Sequence, residues 1–195
     1  MAPNSDTGNY LTWDADAQSN YCVLKYLEGF PDDYKLMKGD SVAGEWPDDV
    51  RMRMNPTFKK QIKLSDNLLN PVNVIVASKS LCDFLRDKKV PNIEYLPVTI
   101  LNHKGKVASK DYCIANLITT QDCIDTEQSE VTWNEINPHY ISSMKRLVVN
   151  ENKIAKNAML FRAEHLKTLI FIRADFAATV TAAGFTNIKF WPLSD

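Results

Sequence analysis

Residues Asn73–Ile118 read NVIVASKSLCDFLRDKKVPNIEYLPVTILNHKGKVASKDYCIANLI, and this stretch decides the fold class. Asn73–Ala77 is a short apolar run of the kind that forms a buried strand. Ser78 follows as a helix N-cap, with Leu81, Cys82, Phe84 and Leu85 recurring at helical spacing. The helix is predicted to end near Lys88-Lys89, where positive charge suits a helix C-terminus and Pro91 prevents continuation. Two apolar β runs come next, Ile93–Leu101 and Tyr112–Ile118, with the turn-like His103-Lys104-Gly105-Lys106 between them. Pro97 has no N–H to give a ladder, so the first run is predicted to be an edge strand or bulged.

On either side of this core the same logic yields more strands than helices. Asn20–Tyr26 and Val50–Met54 read as strands, separated by the turn-rich stretch Gly29–Asp49. That stretch is long for a structureless loop, so it is expected to pack through Phe30, Tyr34 and Trp46. Towards the C-terminus, Arg146–Val149, Met159–Arg162, Thr168–Ile172 and Ile188–Trp191 carry β patterns. Ala174–Ala183 reads as a helix closed by Gly184 in a left-handed conformation, with Phe185 folding back on it. Residues 1–19 are polar and read as a lead-in to a single domain over 20–195. The prediction is an α+β domain, largely antiparallel, with two or more helices.

Composition narrows the function classes. The chain has 195 residues and a net charge of −1, enough to bury a core without a staple. Its longest strongly apolar run, near Leu169–Ile172, falls far short of the ~20 residues a membrane helix needs. The N-terminus has no basic stretch followed by an apolar one, so the expected compartment is the cytoplasm. Four scattered cysteines, Cys22, Cys82, Cys113 and Cys123, form no C-x-x-C pair and read as buried, reduced thiols.

Chemistry is hard to find. The six glycines are isolated, so neither a dinucleotide fingerprint nor a P-loop can be written. His103, His139 and His165 are far apart and match no metal-ligand spacing; no cofactor is expected. Two rival functions remain. A thiol enzyme would use Cys113 or Cys123 as nucleophile with His139 or His165 as base. A nucleic-acid binder would use the basic strip Arg51, Arg53, Lys59, Lys60 and Lys63, with Phe58 among them.

Charge is laid down in blocks. Residues 51–110 carry twelve bases and four acids, whereas 111–144 carry six acids and no base. Within the acidic block, Asp122, Asp125, Glu127, Glu130 and Glu135 surround Trp133. An aromatic anchor among carboxylates suits the capture of a basic protein surface.

The order of several short motifs resembles a known family. These are Ser78-x-x-Leu81, Glu94-Tyr95-Leu96-Pro97-Val98, Tyr112-x-x-x-Asn116, Asp122, Leu147-Val148-Val149, Phe161-Arg162, and Ala183-Gly184-Phe185 with Phe190. Over Tyr21 to Pro192 the chain resembles family eleven of the bacterial polymorphic-toxin immunity proteins. The resemblance implies a non-enzymatic protein, encoded beside a toxin, that binds the toxin and protects the producing cell. It supplies no catalytic residues. The stretches that depart from the family pattern are Gly29–Asp49 and residues 119–139. Contacts with a basic toxin are therefore expected from Trp46, Asp48 and Asp49 together with the acidic set around Trp133, and no contact with nucleic acid or membrane.

Overall fold

The computed structural model describes residues 9–16, 20–118 and 120–193. The decisive stretch folds much as its pattern predicts. Strand β5 (Ile75–Ser78) runs into helix α2 (Lys79–Asp87), and the Ser78 side chain accepts the Leu81 N–H. Strands β6 (Ile93–Leu101) and β7 (Val107–Leu117) form a long antiparallel pair around the 102–106 turn. With β2 (Leu24–Glu28), β3 (Arg51–Met54) and β4 (Asn67–Leu68) they make a six-stranded sheet in the order β2-β3-β6-β7-β5-β4.

Pro97 is locally on an edge. Strand β3 runs parallel to β6 only from Thr99 onward, so beside Pro97 that flank of β6 carries no strand partner. The Pro97 carbonyl is taken instead by Trp46 Nε1 at 3.0 Å.

A second sheet, in the order β13-β1-β12-β11-β8, uses β1 (Tyr10–Asp14), β8 (Thr120–Gln121), β11 (Leu160–Ala163), β12 (Leu166–Arg173) and β13 (Lys189–Pro192). Strand β1 lies inside the stretch read from sequence as a polar lead-in. Its partners are remote, with Tyr10 opposite Arg173 and Leu11 opposite Pro192, so no local signal marks it. A separate ribbon pairs β9 (Glu130–Trp133) with β10 (Ile141–Arg146). The sheets are antiparallel-rich but mixed, since β3·β6 and β8·β11 are parallel.

Side-chain alternation gives each sheet two covered faces. Tyr112 and Ile114 of β7 join Leu24, Met52 and Val98 in a core closed by the Gly29–Asp49 stretch. Helix α1 (Tyr34–Lys38) lies in that stretch. Phe30 and Trp46 pack there as expected, but Tyr34 stays 46% exposed and Leu36 is buried in its place. The opposite face of β7, Cys113 and Ala115, packs with α2, with helix α3 (Ala174–Ala182) and with one face of the second sheet. Phe161 and Phe171 point the other way, into a third core with Cys123, Ile141 and Leu147.

Gly39 and Gly184 mark the ends of α1 and α3. Gly39 has φ +72, and a Cβ there would stand 2.6 Å from the Leu117 carbonyl oxygen. Only glycine lets the α1 strap lie this close to β7. Gly184 has φ +75, as the C-cap pattern predicts, while Phe185 meets Phe84 of α2 edge-on at 5.0 Å between ring centroids, a contact with the neighbouring helix that the pattern did not foresee.

Candidate functional site

The acidic block lies over the third core and is organised by the β9–β10 ribbon. Thr132 and Val131 face Ser143 and Met144 across the ribbon, and the Ser142 hydroxyl donates to the Thr132 carbonyl at 3.0 Å. Asn134 shapes the turn that joins the strands: its Oδ1 accepts the N–H groups of Ile136 and Asn137 at 2.9 and 2.8 Å. That turn holds Glu135 and Ile136 out in solvent, and Ile136 is 96% exposed. Trp133 and Met144 are also exposed. A two-stranded ribbon has little stability of its own. This one is anchored at its base by buried Ile141, whose N–H donates to the His165 carbonyl at 2.9 Å.

The fold brings His139 and His165 together, which their spacing in sequence gives no hint of. Their ring centroids are 4.8 Å apart, and Trp133 meets His165 edge-on at 5.5 Å. His165 Nδ1 lies 2.9 Å from the His139 carbonyl. Two carboxylates flank the pair, with Asp122 3.6 Å from His165 Nε2 and Glu164 3.6 Å from His139 Nε2. Among the described residues, no group of three or more His, Cys, Asp or Glu could hold a metal ion.

The acidic side chains divide by task. Asp125 is a turn-maker: Oδ1 accepts the Glu127 and Gln128 N–H groups at 3.1 and 3.0 Å, and Oδ2 accepts Gln128 Nε2 at 2.9 Å. Asp122 reaches Lys153 at 3.9 Å as well as His165. Glu127, Glu130 and Glu135 are exposed, with Arg146 of β10 opposite Glu130 in register. The ribbon therefore sets a base beside the acids, which the linear charge count misses.

Trp46, Asp48 and Asp49 belong to the first sheet and its core. Trp46 packs at a tilt on Phe30, with ring centroids 4.8 Å apart and its N–H bound to the Pro97 carbonyl, while Asp48 is exposed and Asp49 pairs with Arg51 at 3.1 Å. The structure thus separates the two stretches offered as contact surfaces.

The cysteines require a correction. Cys82 and Cys113 are joined as a disulfide, not held as two reduced thiols. The cause is topological: α2 springs from β5 directly beside β7, where Ala77 faces Cys113, so the first turn of the helix lands on that strand. Cys22 and Cys123 are free and buried. Burial pushes the Cys22 thiol up to about 12 and the Cys123 thiol up to about 11. A nucleophilic cysteine needs the opposite shift and an open approach. Alkylation of the native protein is expected to be slow. After denaturation without reductant two thiols should react, and after reduction four, with intact mass as the readout.

Among the described residues, no helix is long and apolar enough to cross a membrane. Several residues of the family-like motifs turn inward. Glu94 and Asn116 bind the strap at 40–43, Tyr112 Oη donates to the Ser65 carbonyl at 2.7 Å, and Arg162 is fully buried. No curated protein matches the chain. A family model described as the immunity protein family Imm11 matches residues 10–195, nearly the whole chain and every one of these inward-facing residues, and the chain belongs to that family.

Proposed function

We propose that the protein neutralises a cognate toxin by stoichiometric binding in the cytosol, with the β9–β10 ribbon as the centre of its contact surface. The observation that carries this reading is the ribbon itself. It exposes Trp133, Ile136 and Met144 on an arm whose base alone, Ile141 and in part Val131, enters the third core. Exposed aromatic and aliphatic anchors on an ordered element are what an interface hot spot requires. Glu127, Glu130 and Glu135 add an acidic rim suited to a basic toxin, where charge speeds encounter and is weakened by salt. Such a protein protects by occupying its target and needs no catalytic group of its own.

Co-expression with the toxin domain encoded next to this gene, made without a leader, tests the reading. Survival together with co-purification is expected. Survival without a complex would overturn it, because protection would then come from chemistry. At the interface, Trp133→Ala is expected to cost about 2 kcal/mol, roughly thirtyfold in Kd. Reversing Glu127, Glu130 and Glu135 to Lys should weaken binding further at low salt than at high salt. Asp125 is left intact because its loss would unmake a turn. Unchanged affinity in all four variants would remove the ribbon from the interface.

A further inference from the structure

On the far sheet, strand β2 is outermost and pairs only with β3 among the described residues. Tyr21 bridges Lys63 and Val23 bridges Leu69, and the Leu24 N–H donates to the Leu69 carbonyl at 2.8 Å, so the chain on either side of β4 covers the lead into β2 and leaves its outer edge open from Lys25 onward. A cleft of about 500 Å³ opens there, walled by residues 23–26, 55–57 and 69–71. Around it Tyr26, Phe58 and Ile62 are exposed.

Bases outnumber acids on this face. Residues 51–63 contain five bases and no acid. His103 Nε2 lies 3.1 Å from the Asn55 carbonyl, which brings the 102–106 turn, with Lys104 and Lys106, to the same side. Arg51 and Arg53 are paired with Asp49 and Glu28. Among the described residues, Lys25, Lys59, Lys60 and Lys63 have no carboxylate partner. Lys25 and Lys63 lie over the rings of Tyr26 and Tyr21, at 4.6 and 4.9 Å from the centroids.

We propose that this face docks an extended acidic protein segment, laid along β2 as an added strand. An open strand edge offers backbone N–H and C=O groups that an extended peptide can satisfy. Carboxylates on one side of that peptide reach the unpaired lysines. Apolar residues on the other side meet the cleft and the exposed Tyr26, Phe58 and Ile62. A single-stranded nucleic acid fits less well, because it needs open ring faces for stacking and two of the tyrosine faces are already covered by ammonium groups. Lysines beside an edge strand also have a simpler use, which is to keep other strands away. The experiment separates these three outcomes.

The full chain is titrated with fluorescein-labelled probes: a short peptide alternating Glu and Val, its Lys–Val counterpart, and oligothymidine. The expected result is salt-sensitive binding of the Glu–Val peptide alone, with slowed hydrogen exchange within Lys25–Glu28. The triple variant Lys59→Glu, Lys60→Glu, Lys63→Glu should lose about tenfold or more in affinity with its thermal midpoint unchanged, since all three side chains are exposed. Absence of peptide binding would mean that the lysines only guard the edge. Preference for oligothymidine through the same lysines would assign the face to nucleic acid. Either result overturns the proposal. Neither touches the toxin reading, which rests on the ribbon at the third core and is assayed with its own variants.

Discussion

Arg162→Ala is expected to destabilise the protein by about 3–5 kcal/mol, enough to lower its thermal midpoint by roughly 10 °C. Arg162 projects from β11 and is fully buried. Its Nη1 donates to the Lys167 carbonyl at 2.6 Å, and its Nη2 to the Asn73 carbonyl at 2.9 Å. One guanidinium thus ties the second sheet to the entry of β5 in the first. No carboxylate pairs with it among the described residues, and burial alone pulls its pKa down to about 10. At neutral pH it is still charged, so a buried cation is held by carbonyl dipoles and packing. Alanine would empty the volume and take the donor from both part-buried carbonyls. Arg162→Met keeps the apolar stem and should lose less. If both variants melt with the wild type, the guanidinium does not join the sheets.

Glu94→Ala is expected to cost about 2–4 kcal/mol, because it removes charge-assisted hydrogen bonds from a partly buried acceptor. Glu94 Oε1 accepts the Ser41 hydroxyl at 2.5 Å, and Oε2 accepts the Val42 N–H at 3.0 Å and Asn116 Nδ2 at 3.2 Å. Asn116 Nδ2 also donates to the Asp40 carbonyl at 2.9 Å. Together these hold the strap after Gly39 onto β6 and β7. Burial pushes the Glu94 carboxyl up, but the bonds from Ser41, Val42 and Asn116 outweigh it and hold its pKa below the ordinary value. A carboxyl with a depressed folded pKa stabilises the fold above its unfolded pKa, and that contribution fades as pH falls through the folded value. Glu94→Gln should therefore be less stable than wild type at neutral pH, with the gap closing in acid. Urea melts at neutral and acid pH measure this, and limited proteolysis should cut first between residues 39 and 49. A gap that stays constant with pH would assign the loss to shape and not to charge.

Legibility from sequence followed the range of the interactions. Helix α2 and strand β6 were readable because their signals are local: the Ser78 cap, the apolar face, and the run from Ile93 to Leu101. The turn at 102–106 and the closure at Gly184 were readable for the same reason. Strand β1 was not, because Tyr10-Leu11-Thr12-Trp13-Asp14 is a strand only through partners near the other end of the chain. The ribbon was missed because Ser142, Ser143 and Thr132 show no alternation of apolar and polar residues. The two parallel pairings are set by which strands the packing brings together, and no residue pattern announces that. At the candidate site, the acids and Trp133 stand out in the composition. The meeting of His139 with His165, the turn-making use of Asp125 and the approach of Lys63 to Tyr21 depend on tertiary packing. The disulfide was hidden likewise, since thirty-one positions separate its cysteines and the β5–α2–β7 geometry closes the gap.

The exposure of the ribbon's turn, away from its buried base at Ile141, has a consequence for how such a protein can change over generations. Substitutions at exposed positions such as Ile136 or Glu135 leave stability nearly untouched, so, on the proposed reading of the ribbon as the toxin contact, new toxin variants are met by altering the arm without approaching the folding threshold. Substitutions at Glu94, Asn116 or Arg162 draw on that margin directly. On that reading, a lineage built on this scaffold exchanges its recognition surface quickly while its interior stays the same.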